Sequence, residues 1–481
     1  VATVTPELPR GWWARAVALW PERADLLRAF GGADETSSCG ENILQDWLKQ
    51  TVLDETITTV LAAELDAAQA RMFARRHAAA RGLVQRLALP GLEALLVGRT
   101  AEILRAPGPR GLRVRAVADF VYSQAARLHH QRHTPPRSIA ALAATARWEE
   151  VGPGLAHARL TGPGPAGPVH INLLRAEPGV RAQCRDVRTE GGGLADIVAR
   201  HGACAGVSGG FFLYSEPDIR PPLARRQPVG LLVQDGEVVA VPSLHRATLL
   251  WDPEPRIARV GPVGWTVACG AHQWTIAARN DPALPGPTLF SRASGPQAPR
   301  PGLVLRGDRA AGIGTEVDLL GGVLVLPEGT PPDLHGPCEW RPPRPLHQAM
   351  AGGPLLLGPG ALELAREDFA STAPPITFSQ DETYDQNLLP RMAVGQDSDQ
   401  QLIFAAIDGR DFDRAPGFTL AMTAELLGAL GCTVAMNLDG GSSKRMAVGG
   451  RTVDLGTTEL VTGTQGTQQP RRRLVSVVLL G

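Results

Sequence analysis

Ten residues near the end of the chain, Val434-Ala-Met-Asn-Leu-Asp-Gly-Gly-Ser-Ser443, place a carboxylate, two glycines and two hydroxyls behind an apolar run. A buried strand that ends this way delivers Asp439 to a sheet edge, and Gly440 and Gly441 let the backbone come close to a ligand. Successive N–H groups of Gly440, Gly441 and Ser442 can form an anion-cradling nest. A second transition of the same kind, Leu402-Ile-Phe-Ala-Ala-Ile-Asp-Gly-Arg410, ends in Asp408 and Arg410. Two carboxylates at one edge are the minimum kit for acid/base or nucleophilic work on an acetal. Arg391 opens a third apolar run, Leu389-Pro-Arg-Met-Ala-Val-Gly395, and a guanidinium offers phosphate oxygens a planar two-pronged donor. A fourth, Ala205-Gly-Val-Ser-Gly-Gly-Phe-Phe212, sets Ser208 before Gly209 and Gly210. Ser208 reads as a turn residue, because no G-x-S-x-G surrounds it and no nearby His is expected to activate it. Taken singly these signals are weak: an isolated D-G-G is commonly a hairpin turn, and Arg391 and Arg410 can equally pair with the two carboxylates as a structural network.

Position decides what such residues can do. Residues Thr419 to Leu430 read as one helix ending at Gly431, flanked by the two runs that end in Asp-Gly. If those runs are parallel strands, Asp408 and Asp439 sit on neighbouring strands at the same edge. The wider sequence changes style after Thr134-Pro135-Pro136. Beyond it, apolar runs such as Val169–Leu174, Gly230–Val233, Val238–Val241 and Leu319–Leu326 alternate with Gly, Pro and Asp turns, as strands do. Before it, Leu44, Trp47, Leu48, Val52, Ile57, Val60, Leu61 and Leu65 recur at helical steps, and further helices are expected over roughly 67–88, 91–105 and 113–131. The expected architecture is therefore α+β: an N-terminal all-α helical domain over residues 1–145, then a mixed α/β domain with a strand-rich core over 146–481. No repeat of 20–50 residues is visible, which disfavours a propeller or solenoid. His170 and His201 read as core histidines.

The totals exclude several classes. The 481 residues carry 48 basic and 48 acidic side chains, so nothing in the sum suggests a polyanion binder. Read by segment the balance divides: residues 21–70 hold ten acids against three bases, and residues 71–133 hold twelve Arg against three acids. The simplest reading pairs these helices with each other, and with few aromatics interleaved and no nucleic-acid motif, nucleic acid is not an expected partner. No run reaches the ~20 apolar residues of a membrane span, and no signal segment is visible, which favours the cytoplasm without excluding a secreted mature form. Cys39, Cys184, Cys204, Cys269, Cys338 and Cys432 show no metal-ligand spacing and read as buried free thiols, and no metal site is expected. Lysine occurs only at Lys49 and Lys444, a skew that fits a GC-rich coding sequence.

In their order along the chain, Ser208-Gly-Gly-Phe-Phe212, Ala351-Gly-Gly-Pro-Leu-Leu356, Pro390-Arg-Met-Ala-Val-Gly395, Ile407-Asp-Gly-Arg410, Gly417-Phe-Thr-Leu420 and Asn437-Leu-Asp-Gly-Gly-Ser-Ser443 resemble the motifs of the phosphodiester glycosidases over roughly residues 146–481. The resemblance implies a bacterial hydrolase of a sugar-1-phosphodiester, acting on a small-molecule or polymer glycan that carries phosphate and needing no cofactor. Within it, Asp439 is the base or nucleophile, Asp408 its partner or the group that orients Arg410, and Arg391 and Arg410 the phosphate holders. Asn437, Gly440, Gly441, Ser442, Ser443, Ser208, Gly209, Gly210, Gly352 and Gly353 form the substrate-binding loops. A divalent ion between Asp408 and Asp439 is the minor alternative. Two positions depart from the family pattern: Ser208 stands where Asn is usual, and the last loop is one glycine shorter and runs into Lys444 and Arg445. They motivate two other readings, a non-catalytic carbohydrate-binding module and a glycosyl-phosphate-processing enzyme of a biosynthetic pathway.

Overall fold

The computed structural model describes residues 129–213, 226–252, 254–368, 387–456 and 473–481, together with Ser123, Ala126 and Arg127. Their frame is a seven-stranded sheet in the order Glu149–Gly152, Leu155–Gly164, Gly167–Ala176, Leu402–Ile407, Arg391–Gln396, Val434–Leu438 and Leu355–Leu357. Its central strands are apolar on both sides and bury both. Along Leu402–Ile407 the alternation is plain: Leu402, Phe404 and Ala406 enter one core, and Ile403, Ala405 and Ile407 the other.

The first core lies between this sheet and two five-stranded sheets, and joins Phe404, Met392 and Met436 to Val207, Met446, Val478, Leu249 and Met350. One of these sheets runs Arg451–Thr452, Met446–Val448, Ala205–Ser208, Ser476–Leu480, Ala182–Asp186; the other is built around Gln348–Ala351 and Arg246–Trp251. On the far side, Ile139 and Leu142 of the short helix Ile139–Ala143 and Leu420 and Leu427 of the helix Leu420–Ala429 cover the sheet. Thr419 caps the second of these helices by accepting from Met422 N–H at 3.1 Å, and Gly431 leaves it at φ 96°, as its sequence anticipates. A third core, around Trp265, Val267, Leu303, Leu324 and Trp340, belongs to six-stranded and three-stranded sheets contributed mostly by residues 266–341.

Two expectations need correction. The described chain is not mixed α/β: its strands pair antiparallel everywhere except Ala278–Arg279 with Thr288–Phe290. Its named α-helices are short, five to ten residues, and two of them, Leu194–Arg200 and Leu420–Ala429, cross between strands that flank one inserted antiparallel strand. The α+β architecture with a leading all-α domain is thus replaced, for the described residues, by a strand-rich antiparallel one. The helices expected before residue 123 lie outside the described residues. No helix among the described residues is long and apolar enough to cross a membrane.

The second correction concerns the thiols. Cys269 and Cys338 form a disulfide, while Cys184, Cys204 and Cys432 are free. The pairing follows from register, since Ala268 faces Glu339 across an antiparallel pair and the next two residues are the cysteines. Their separation of 69 residues hides the neighbourhood from any spacing rule. Closing a loop of that size restricts the unfolded chain, so replacing both cysteines with Ser is expected to lower stability by about 2–4 kcal/mol in denaturant titration, with the wild type kept oxidised.

Candidate active site

One edge of the seven-stranded sheet gathers the predicted residues. The strand Arg391–Gln396 pairs antiparallel with both Leu402–Ile407 and Val434–Leu438, with Arg391 opposite Ile407 and Met392 opposite Leu438. The start of the central strand therefore lies beside the ends of the two outer ones. Asp408 and Asp439 emerge at the same edge as expected, but with the Arg391 strand between them, so their strands are parallel and not adjacent. Two interstrand spacings separate their backbones, on the order of 10 Å.

The pleat also separates side chains. Arg391 turns to the helix side, where it is buried and donates from Nε to Phe418 O at 3.0 Å and from Nη2 to Asn387 O at 3.1 Å. Asp408 turns into the core between the sheets. There its Oδ2 meets His170 Nδ1 at 2.5 Å and accepts Leu455 N–H at 3.2 Å, and its Oδ1 takes the ammonium of Lys444. Lys444 Nζ also donates to Asp454 Oδ2 at 2.7 Å, and Asp454 Oδ1 accepts Met446 N–H at 2.8 Å. Burial opposes ionisation of Asp408, but the Lys444 charge and the His170 hydrogen bond outweigh it and hold the carboxyl below its ordinary value.

This network was not foreseen. His170, read as a core histidine, is the partner of Asp408, and its side chain keeps 17% exposure. Lys444, read as a loop cation, is fully buried. A signal existed, since Lys444 is one of only two lysines in an arginine-rich chain. An ammonium is a compact donor with three N–H bonds, which suits a narrow gap between two carboxylates better than a guanidinium. Because both Asp408 oxygens are engaged, this carboxylate fits a cation site poorly, and no metal-type cluster of His, Cys, Asp or Glu occurs among the described residues.

The remaining predicted residues are close by. Asp439 is buried, and its N–H donates to Gly209 O at 3.1 Å, which joins the Gly209-Gly210 turn to the Asp439 loop. Ser208 accepts from Arg445 N–H at 3.1 Å, and Gly210 N–H reaches Ser476 Oγ at 3.1 Å. Asn437 donates from Nδ2 to Gly353 O at 3.1 Å, while its buried Oδ1 has no partner among the described residues. Gly352 lies against Asn437 O, where a Cβ would come within 2.5 Å. Arg410 is buried at φ 58°, a left-handed conformation that is uncommon for a side chain of this size. Gly441, Ser442 and Ser443 form one 3₁₀ turn. The expected nest is altered, because Gly441 N–H is committed to Pro390 O at 2.9 Å.

Lys444→Met leaves two buried carboxylates without their shared cation, a loss of about 3–5 kcal/mol at neutral pH. The depressed Asp408 pKa stabilises the fold above the ordinary carboxyl range, ~3.9, and that contribution disappears as pH falls through the lower folded value. The stability gap between wild type and Lys444→Met is therefore expected to narrow in acid, as read from urea midpoints between pH 7 and pH 3.

Comparison with known proteins adds the following. No curated protein matches the chain. Among solved structures, a hypothetical protein from Synechocystis is similar at 18% identity and TM-score 0.44, covering 72% of this chain and 64% of that one. This chain thus spans a little under two thirds of that structure's length. A putative exported protein from Burkholderia pseudomallei is similar at 21% identity and TM-score 0.44, covering 66% of this chain and 75% of that one. The catalytic domain of zebrafish N-acetylglucosamine-1-phosphodiester alpha-N-acetylglucosaminidase, in a form auto-inhibited by its pro-peptide, is similar at 12% identity and TM-score 0.38, covering 70% of this chain and 87% of that one. The segment that carries Gly352, Gly353, Arg391, Asp408, Arg410 and Asp439, residues 319–480, matches the phosphodiester glycosidase family.

Proposed function

We propose that the chain is a glycoside hydrolase whose substrate carries its sugar on a phosphodiester. The observation that carries this reading is the gathering of Asp439, Arg391 and Asn437 at one sheet edge inside the segment that matches phosphodiester glycosidases. A phosphate monoester has a second pKa near ~6, so it leaves as an anion with little help from a general acid. The site then has to supply donors for the phosphate, one carboxylate for the anomeric centre, and acceptors for the sugar. That requirement suits a site in which Asp408 is tied to Lys444 and His170 and does not act as a second acid.

In this reading Asp439 acts on the anomeric carbon, either taking the proton of the attacking water or attacking it directly. The bond from C1 to the phosphate oxygen breaks, and its electron pair leaves with the phosphate. Arg391 and Arg410 hold that phosphate, and Asp408 is a positioning residue for the edge. The unpartnered Oδ1 of Asn437 is an acceptor suited to a sugar hydroxyl. Ser442, Ser443, Ser208 and the Gly209-Gly210 and Gly352-Gly353 turns shape the walls.

The decisive measurement is sugar release from a panel of glycosyl-1-phosphodiesters. Wild type is expected to turn over at least one of them, Asp439→Asn to lose about 10³-fold or more in kcat, and Arg391→Lys to lose mainly in kcat/KM. Undiminished turnover by Asp439→Asn ends the assignment of Asp439. Sugar binding without release by wild type turns the reading into that of a carbohydrate-binding module, and release only in the presence of an acceptor into that of a transferase.

A further inference from the structure

The strand that delivers Asp408 to one edge of the seven-stranded sheet begins at the opposite edge. Leu402 pairs there with Ala176, six residues or about 20 Å from the Asp408 end at ~3.3 Å per residue. Beside this pair lies a cavity of about 340 Å³, whose apolar floor includes Ala176, Leu402, Leu480 and Pro255. The volume is within the ~300–1,000 Å³ usual for small-molecule sites. Past Arg181 and Gln183 it continues into a smaller hollow of about 50 Å³ beside His201.

Two buried side chains give the cavity a polar wall. Gln348, 1% exposed, is held through both ends of its amide: Oε1 accepts Cys184 N–H at 2.9 Å, and Nε2 donates to Asp235 Oδ1 at 2.8 Å. Trp251, opposite it in the strand pairing and 7% exposed, keeps its ring in the core, and its indole N–H makes no hydrogen bond among the described residues. That N–H is not sealed from solvent as the Trp340 N–H is, and it opens to the cavity that Trp251 lines. At the mouth, Glu177 and Glu254 are exposed, and their carboxylates make no hydrogen bond or ion pair among the described residues. Asp235 is paired with Arg185 at 3.1 Å, and Arg181 is the one guanidinium of the lining.

We propose that this cavity is a second ligand site, which binds a neutral sugar unit of a glycan chain. A metal cation uses acceptors alone and a carboxylate uses donors alone, whereas a sugar hydroxyl both gives and accepts. The cavity offers both kinds: the Glu177 and Glu254 carboxylates, which can each take a pair of hydroxyls, and the Trp251 N–H, which suits a hydroxyl or ring oxygen. Three carboxylates against one guanidinium turn anions away. The apolar floor matches the C–H face of a pyranose, and the hollow beside His201 extends the groove for a neighbouring unit. The site stands a strand's length from the Asp439 edge and does not depend on what that edge does.

Ligand-observed NMR titration of the full chain with neutral hexasaccharides of glucose and of N-acetylglucosamine tests it, with 1,5-diaminopentane and succinate as the cationic and anionic controls. Wild type is expected to bind at least one hexasaccharide at millimolar concentration and both controls more weakly. Glu177→Ala with Glu254→Ala, on exposed side chains whose loss leaves the core intact, is expected to weaken sugar binding about tenfold or more. Trp251→Phe, which keeps the ring and removes the N–H, is expected to weaken it by about fivefold. Asn437→Ala, at the other edge, is expected to leave this binding event in place. No hexasaccharide binding, tighter binding of either control, binding unweakened by the paired Glu substitutions, or binding lost in a folded Asn437→Ala variant overturns the proposal. Thermal melts of each variant separate loss of the site from loss of the fold.

Discussion

The Lys444 ammonium, buried between Asp408 and Asp454, is the interaction on which the rest of this edge depends. Removing three charged groups from water is expensive, and the cost is offset only when each donor and acceptor finds a partner in good geometry. Here the partners are His170, the Leu455 and Met446 N–H groups, and the Leu455 carbonyl at 3.4 Å from Nζ. Because Asp408 ends a strand of the seven-stranded sheet and Lys444 leads into a strand of the five-stranded one, the same ion cluster sets the distance between the two layers. It also anchors the far end of the Gly440–Ser443 turn, whose near end is held by Gly441 N–H on Pro390 O. The loop that carries Asp439 is thus fixed at both ends.

A second constraint is steric, and it converges on Leu389 and Pro390. A Cβ on Gly440 would come within 2.6 Å of Pro390 O, one on Gly417 within 2.7 Å of Leu389 backbone atoms, and one on Gly409 would collide with Pro390 N. Three sequence motifs, Asp-Gly-Arg, Pro-Gly-Phe and Asp-Gly-Gly, therefore owe their glycines to one piece of backbone threading between them. In the sequence Gly440 reads as room for a ligand. The first office of all three is to let Arg391 begin its strand in the middle of the edge.

That difference explains what the sequence could and could not disclose. Strand and helix positions were legible where a local pattern determines them: Val169–Leu174 lies inside the strand Gly167–Ala176, and the Thr419 cap and Gly431 exit bound the helix as read. The common edge of Asp408 and Asp439 was legible because both residues end apolar runs of similar length. The strand order was not, since nothing local tells that Arg391–Gln396 inserts between the other two. The parallel outer strands are joined through the helix Leu420–Ala429 as a split β-α-β unit, with Arg391–Gln396 inserted antiparallel to both. The ion cluster and the disulfide escaped for the same reason: Lys444 meets Asp408 across 36 residues and His170 meets it across 238, and no spacing rule reaches that far.

The pairing of Asp408 with Lys444 has a consequence for the proposed chemistry. An ordinary O-glycoside leaves as an alkoxide and needs a proton delivered to it, so hydrolases of such bonds carry a second carboxyl group as general acid. Here the second carboxyl is kept ionised by Lys444, and an ionised group has no proton to give. A leaving group that is already a stable anion removes the need. In the proposed reaction, the same electrostatics that stabilise the fold keep Asp408 from serving as the general acid that other glycosides would require.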